Sequence, residues 1–239
     1  MKKFSISIVA GLLTFGIGVV GAMLWTTRNT PRLGHPPAPS GRCVPLATQE
    51  YRFLTIGEDG YFPRGLLSRN PELDALMRSN YAKYLARMNE PVLMNSASDK
   101  NSASDNNEVY RFTWLRSFHP KVVVRVWSDN GVRMLTVKEI FDDNESRVAR
   151  MGVYQSRRLK EEEWAEFARL LDQACVWTLR SISEDVIAND GAWWIFEATL
   201  PGHYQVVNRQ SPEESYRELC LYLLKLSGLP LDESQGEIY

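Results

Sequence analysis

From Tyr110 to Trp127 the chain runs in strict alternation, and that period limits the fold more than any other feature. Tyr110, Phe112 and Trp114 alternate with Arg111 and Thr113, and Val122, Val124 and Val126 alternate with Val123, Arg125 and Trp127. A period of two places successive side chains on opposite faces of a strand, so each run predicts a strand with one apolar face. Phe118-His119-Pro120 supplies the turn between them. Asn130-Gly131 then offers a two-residue hairpin loop, because both positions of such a turn need positive φ. A third strand is predicted from about Val132 to Phe141. After the polar run DDNES, a fourth covers about Gly152 to Leu159. The pattern describes an antiparallel meander.

Helical spacing flanks it on both sides. Asn70 is a capping residue and Pro71 suits a first helical turn. Leu73, Leu76, Met77, Tyr81, Tyr84, Leu85 and Met88 then recur at three-and-four spacing, predicting a helix over Asn70–Met88. Lys160–Cys175 reads as a second helix, with Glu161, Glu162 and Glu163 at its positive end and an apolar stripe of Trp164, Phe167, Ala168, Leu171 and Ala174. Strands Trp193–Leu200 and His203–Arg209 meet at Pro201-Gly202. Ser211-Pro212-Glu213-Glu214 has the spacing of a capping box for a last helix, which buries Tyr216, Leu219, Cys220, Leu223 and Leu224 and stops at Gly228. The expected fold is α+β, an antiparallel sheet of about six strands with helices packed on one face.

The first fifty residues differ from the rest. Lys2 and Lys3 precede an uncharged run, Phe4–Trp25, that as a helix would span about 33 Å at ~1.5 Å per residue, enough to cross a bilayer core. The lysines favour a cytoplasmic N-terminus and Trp25 suits an interface. The expectation is a single transmembrane helix ahead of the domain, at a bacterial inner membrane, with the C-terminal part periplasmic or extracytoplasmic. The alternative is a secretory signal cleaved after Val20-Gly21-Ala22, although the run is longer than a usual signal core. The division that follows is anchor 1–27, proline-rich linker 28–50, helical lead-in 51–94, a loop 95–108 containing NSASD twice, the α+β domain 109–229 and a tail 230–239. A net charge of −1 across 239 residues gives no bulk positive charge for nucleic acid, and none is expected as a partner.

Three segments, WLRSFHPKVVVRV (Trp114–Val126), DGAWWIFE (Asp190–Glu197) and GHYQVVNRQSP (Gly202–Pro212), together resemble a group of uncharacterised bacterial proteins. That group carries WLRxFxxPxxVRV, DGxxWxxE and GxYxVVxRxSP in this order. The resemblance covers about Tyr110–Leu229 and supports the domain boundary. It implies no activity. Gln210 stands where the group carries an aromatic residue.

Candidate chemistry is sparse. His119 and His203, with Asp190 or Glu197, have the side chains for a general base and its orienter, so an extracytoplasmic hydrolase is one functional expectation. No nucleophile elbow or phosphate loop accompanies them. No metal-ligand spacing occurs, and no cofactor or metal is expected. Three cysteines fit no simple framework. Cys175 and Cys220 fall on apolar helix stripes, either as two buried thiols or as a bridge between them. On strand parity Arg111 shares a face with Thr113 and Leu115, and Arg125 with Val123 and Trp127. The neighbours Trp193 and Trp194 must point to opposite faces. A sheet covered on one side leaves the other wet, so Arg111, Arg125, Trp127 and Trp193 are the expected binding surface for a protein or cell-envelope component. A binding or interaction module anchored through residues 4–25 is the first functional expectation, and the hydrolase is the second.

Overall fold

Six strands form one antiparallel sheet in the order β4-β3-β2-β1-β5-β6. They are β1 (Val109–Arg116), β2 (Lys121–Asp129), β3 (Val132–Phe141), β4 (Arg150–Arg158), β5 (Ala192–Leu200) and β6 (His203–Arg209). Among the described residues three α-helices accompany them, α1 (Pro71–Arg87), α2 (Glu161–Ala174) and α3 (Glu214–Ser227). The computed structural model describes residues 43, 57, 59–94, 108–129, 131–141, 150–182 and 191–230. The apolar run 4–25, nearly all of the linker, the NSASD repeats, Asp190 and the tail from 231 lie outside the described residues. Among the described residues, no helix is long and apolar enough to cross a membrane.

The period-two reading locates the strands closely, because local sterics and burial agree there. Asp129 pairs with Val132 across the two-residue hairpin, and Gly131 adopts φ 78°. Tyr110, Phe112 and Trp114 face one side, together with Val122, Val124, Val126, Trp194 and Phe196. Helices α2 and α3 cover that side with Trp164, Phe167, Leu170, Tyr216, Leu219 and Leu223. The opposite side is not wet. Met77, Tyr81, Leu85 and Met88 of the α1 region pack there against Leu115, Val123, Ile140, Ile195, Tyr204 and Val206. Helices therefore cover both faces, which corrects the one-sided arrangement expected from the sequence. The lead-in belongs to the same compact unit as the sheet, Ala38–Tyr239.

The reason lies in the faces of α1. Asn70 caps it as expected, accepting from Glu72 N–H at 2.9 Å and Leu73 N–H at 3.1 Å. Its buried side is rotated from the apolar stripe and includes Asp74 and Arg78, while Leu76 stays 58% exposed. Asp74 accepts from the backbone N–H groups of Gly65, Leu67 and Ser68, and Arg78 Nε donates to it at 2.8 Å. Arg78 also pairs with Asp59. One carboxylate thus ties the preceding loop to the helix, and the charge is buried because its lone pairs are filled.

Two other expectations change. Glu213 is the residue before α3 and makes no side-chain cap; its carboxylate takes Arg209 Nε at 3.0 and 3.1 Å instead. The disulfide joins Cys43 to Cys175, with Cα atoms 4.9 Å apart, and Cys220 is a free, buried thiol. The Cys175–Cys220 bridge does not form. Cys175 ends α2 in the left-handed region at φ 49°, which turns it out of the helical stripe on which the sequence placed it.

The sheet's edges are treated differently. Along β6, Asn208 N–H donates to Ser181 O at 2.9 Å, and Ile182 makes a parallel bridge to Asn208. Gln205 Nε2 donates to Val176 O and Leu179 O, so the segment after α2 seals that edge. Along β4 every residue is exposed or half-buried. A bulge opposite Glu139 and Ile140 interrupts its pairing at Gly152, where a Cβ would lie 2.2 Å from the Phe141 ring.

Candidate functional site

The register of the sheet assembles a polar row on the α1 face. Glu197 of β5 pairs with Arg111 of β1, Arg111 with Arg125 of β2, and Arg125 with Thr136 of β3. Thr136 pairs in turn with Ser156 of β4. These positions share parity, so their side chains rise from the same face. Lys138, two residues beyond Thr136, joins them.

The row is closed from above by the residues that end α1. Asn89 takes φ 50°, and Glu90 N–H donates to Leu85 O at 2.9 Å, which turns the chain and points the Glu90 carboxylate down onto the sheet. That carboxylate lies 2.9 Å from Arg125 Nε, 2.7 Å from Lys138 Nζ and 3.6 Å from Arg111 Nη1. Arg111 gives Glu197 two bonds, from Nε at 2.8 Å and from Nη2 at 2.5 Å, and its Nη1 donates to Pro91 O at 2.7 Å. The second oxygen of Glu197 accepts from Tyr204 Oη at 2.8 Å. Lys138 Nζ donates to Met88 O at 2.8 Å and Asn89 O at 3.1 Å, while Tyr61 Oη donates to Glu90 O at 3.0 Å.

Arg111, Glu90 and Glu197 are fully buried as side chains. Three cations meet two carboxylates, leaving one positive charge in excess. The carbonyls of Met88, Asn89 and Pro91, at the negative end of α1, supply what the carboxylates do not. Burial works to lower the pKa of the Arg111 guanidinium, but Glu197 and Glu90 beside it outweigh burial and hold it above its ordinary value. Burial pushes the Tyr204 phenol well up, and the Glu197 carboxylate adds to the shift, so Tyr204 stays a neutral donor. The lone pairs of Glu197 are engaged by Arg111 and Tyr204, and water cannot reach it. The row clamps α1 onto the sheet.

The residues singled out from sequence are redistributed accordingly. Arg111 and Glu197, assigned to a binding surface and to a catalytic pair, are bonded to each other. Arg111 is not a surface residue, because α1 and the Glu90 turn cover it. Arg125 is largely buried in its pair with Glu90, and its guanidinium lies 5.2 Å from the Trp127 ring centroid. Trp127 is half-buried and donates to Thr136 Oγ1 at 3.0 Å. Trp193 is half-buried on the α1 face, 6.3 Å from Tyr81, while Trp194 fills the other core.

His119 and His203 are not brought together. His119 follows β1 at the end where Arg116 pairs with Ala192, whereas His203 pairs with Leu200 at the far end of β5. The two ends are roughly 27 Å apart at ~3.4 Å per residue. Asp190 lies outside the described residues. Among those described, no three His, Cys, Asp or Glu side chains are grouped to hold a metal ion. Sequence reasoning missed Glu90, which sits in the aperiodic stretch Asn89-Glu90-Pro91. The usable signal was an imbalance: Arg111, Lys121, Arg125 and Lys138 share the strand parity of Glu197, more cations than carboxylates, which calls for a further carboxylate if that face is covered.

No protein-family model matches the chain, and neither a curated protein nor a solved structure matches it.

Proposed function

We propose that the chain is a membrane-anchored, envelope-facing α+β domain that acts by binding, to another protein or to a cell-envelope component. The observation that carries this reading is the Cys43–Cys175 disulfide. Cytosolic thiols are kept reduced, whereas bridges persist in the periplasm and outside the cell. A bridge close behind an uncharged run that follows two lysines supports an exported domain held by Phe4–Trp25. Binding is favoured over catalysis because the side chains suited to acid–base work are dispersed or consumed. His119 and His203 belong to opposite ends of the sheet, and Glu197 is neutralised by Arg111.

Topology is the deciding measurement. A reporter active only in the periplasm, fused after Tyr239, should be active, and the full-length chain should stay with membranes through a carbonate wash. A reporter active only in the cytoplasm overturns the reading. Release of a mature form beginning near Met23 replaces the anchor with a cleaved signal. Turnover of ester, amide or glycoside substrates that is lost with His119→Ala or His203→Ala would overturn binding in favour of a hydrolase.

A further inference from the structure

We infer that the outer edge of β4 takes an extended, acidic peptide segment of a partner protein as a seventh strand. This rests on the binding reading and names its surface and partner class. Among the described residues the sheet has one sealed edge and one open one. Segment 176–182 occupies the β6 side, while no described strand pairs with β4 on its outer side. An open edge presents a row of backbone donors and acceptors that another extended chain can use.

Side chains on β4 specify the occupant. Tyr154 is 66% exposed and Met151 41% exposed, both on the α1 side of the sheet and clear of that helix. They offer apolar contact to alternate residues of an added strand. Arg150 and Arg158, at the two ends of β4, are exposed and have no ion pair among the described residues. Between them Arg157 is held by Glu163, with Nη1–Oε2 at 2.7 Å. A second copy of β4 is a poor occupant: the strand carries Arg150, Arg157 and Arg158 and no acidic residue, so pairing two copies would bring like charges together, which destabilises a ladder. An acidic strand meets both arginines with opposite charge.

The test uses the full-length chain in detergent, immobilised and panned against a display library of random peptides. The selected sequences should be proline-free, carry acidic residues towards both ends with apolar residues between them, and bind as synthetic peptides. Methylating alternate backbone nitrogens of a selected peptide should abolish binding, because strand addition uses them. The exposed double variant Arg150→Glu/Arg158→Glu should lose about tenfold in affinity while melting as the wild type does. Peptides whose affinity ignores that variant would leave a binding protein with its site elsewhere and overturn the β4 assignment. Acidic peptides that tolerate backbone methylation would mean charge attraction without strand addition, which also overturns it. Binding that appears only once residues 231–239 are deleted would place the chain's own acidic residues Asp232, Glu233 and Glu237 on β4 and exclude an external partner. A dimer that the charge-reversed variant strengthens or leaves intact would identify a second copy. A library that yields no binder overturns the β4 assignment and leaves the binding reading to its own topology and turnover tests.

Discussion

On the face covered by α2 and α3, the buried side chains are aromatic and aliphatic almost throughout; on the face covered by α1, a row of arginine, lysine and glutamate runs among them. Both faces exclude water, by different means. Apolar burial is non-directional and roughly proportional to area, so the first face is held wherever surfaces fit. The second is held only where each charge finds its partner, because an unpaired buried charge costs more than its pair contributes. The first face sets how strongly the layers adhere, and the second sets where α1 must sit.

The difference can be broken at several points. The largest expected effect comes from the Cys43–Cys175 bridge, which links the chain leading into α1 to the end of α2. It spans 132 residues, and its loss should cost about 5 kcal/mol on the chain-entropy account. Chemical denaturation of Cys43→Ser against wild type measures this; an unchanged midpoint would mean the bridge constrains little of the unfolded chain. Next come single truncations within the charged row. Glu90→Ala leaves Arg125 and Lys138 without their carboxylate, and Arg111→Ala leaves Glu197 buried without its guanidinium, each at about 3–5 kcal/mol. Phe112→Ala on the other face should cost a similar amount through a cavity, so size alone does not separate the faces.

Replacement of the whole group does. The triple variant Arg111→Met/Glu197→Leu/Tyr204→Phe removes the pair and its phenol together, and should lie within about 2 kcal/mol of wild type. If it is less stable than Arg111→Ala, the row contributes more than an apolar isostere would. A smaller, pH-dependent effect belongs to Asp74. Burial pushes its carboxyl up, but the Gly65 amide, Arg78 and the Leu67 and Ser68 amides outweigh this and hold its pKa below the ordinary value. The folded pKa lies below the unfolded one, so its contribution is whole above the usual carboxylate range and is lost as pH falls through the folded value. The stability gap between wild type and Asp74→Asn should therefore close at acid pH; a gap constant down to unfolding would show that Asp74 acts without its charge. The smallest effect is expected for Leu76→Lys on the outer side of α1, within about 0.5 kcal/mol by thermal melting.

What could be read from sequence follows the same division. Strands β1 to β3, the Asn70 cap and the α3 stripe were legible, because each is set by local period and capping chemistry. The cover over the second face was not. Arginine alternating with apolar residues looks the same whether water or a helix lies above it, and the buried side of α1 includes Asp74 and Arg78, which count as polar in any stripe. Arg111 and Glu197 were both named, yet their pairing depends on β1 lying beside β5, across some eighty intervening residues. Glu90 has no periodicity around it at all. The site's members were partly visible and their relation was not, since relation is a property of register.

Register is also where the charged row has its widest consequence. A slip of β1 against β5 by two residues would keep every aromatic side chain of β1 on its proper face, and the α2/α3 layer would scarcely register the error. The same slip would set Arg111 opposite Ile195 or Thr199 and Glu197 opposite Val109 or Thr113. Glu197 would then be sealed beneath α1 without its guanidinium, and Arg111 would keep Glu90 alone as counter-ion. The row thus serves the fold as a checksum, accepting one alignment of the central strands and rejecting its nearest misreadings before the helix closes over them.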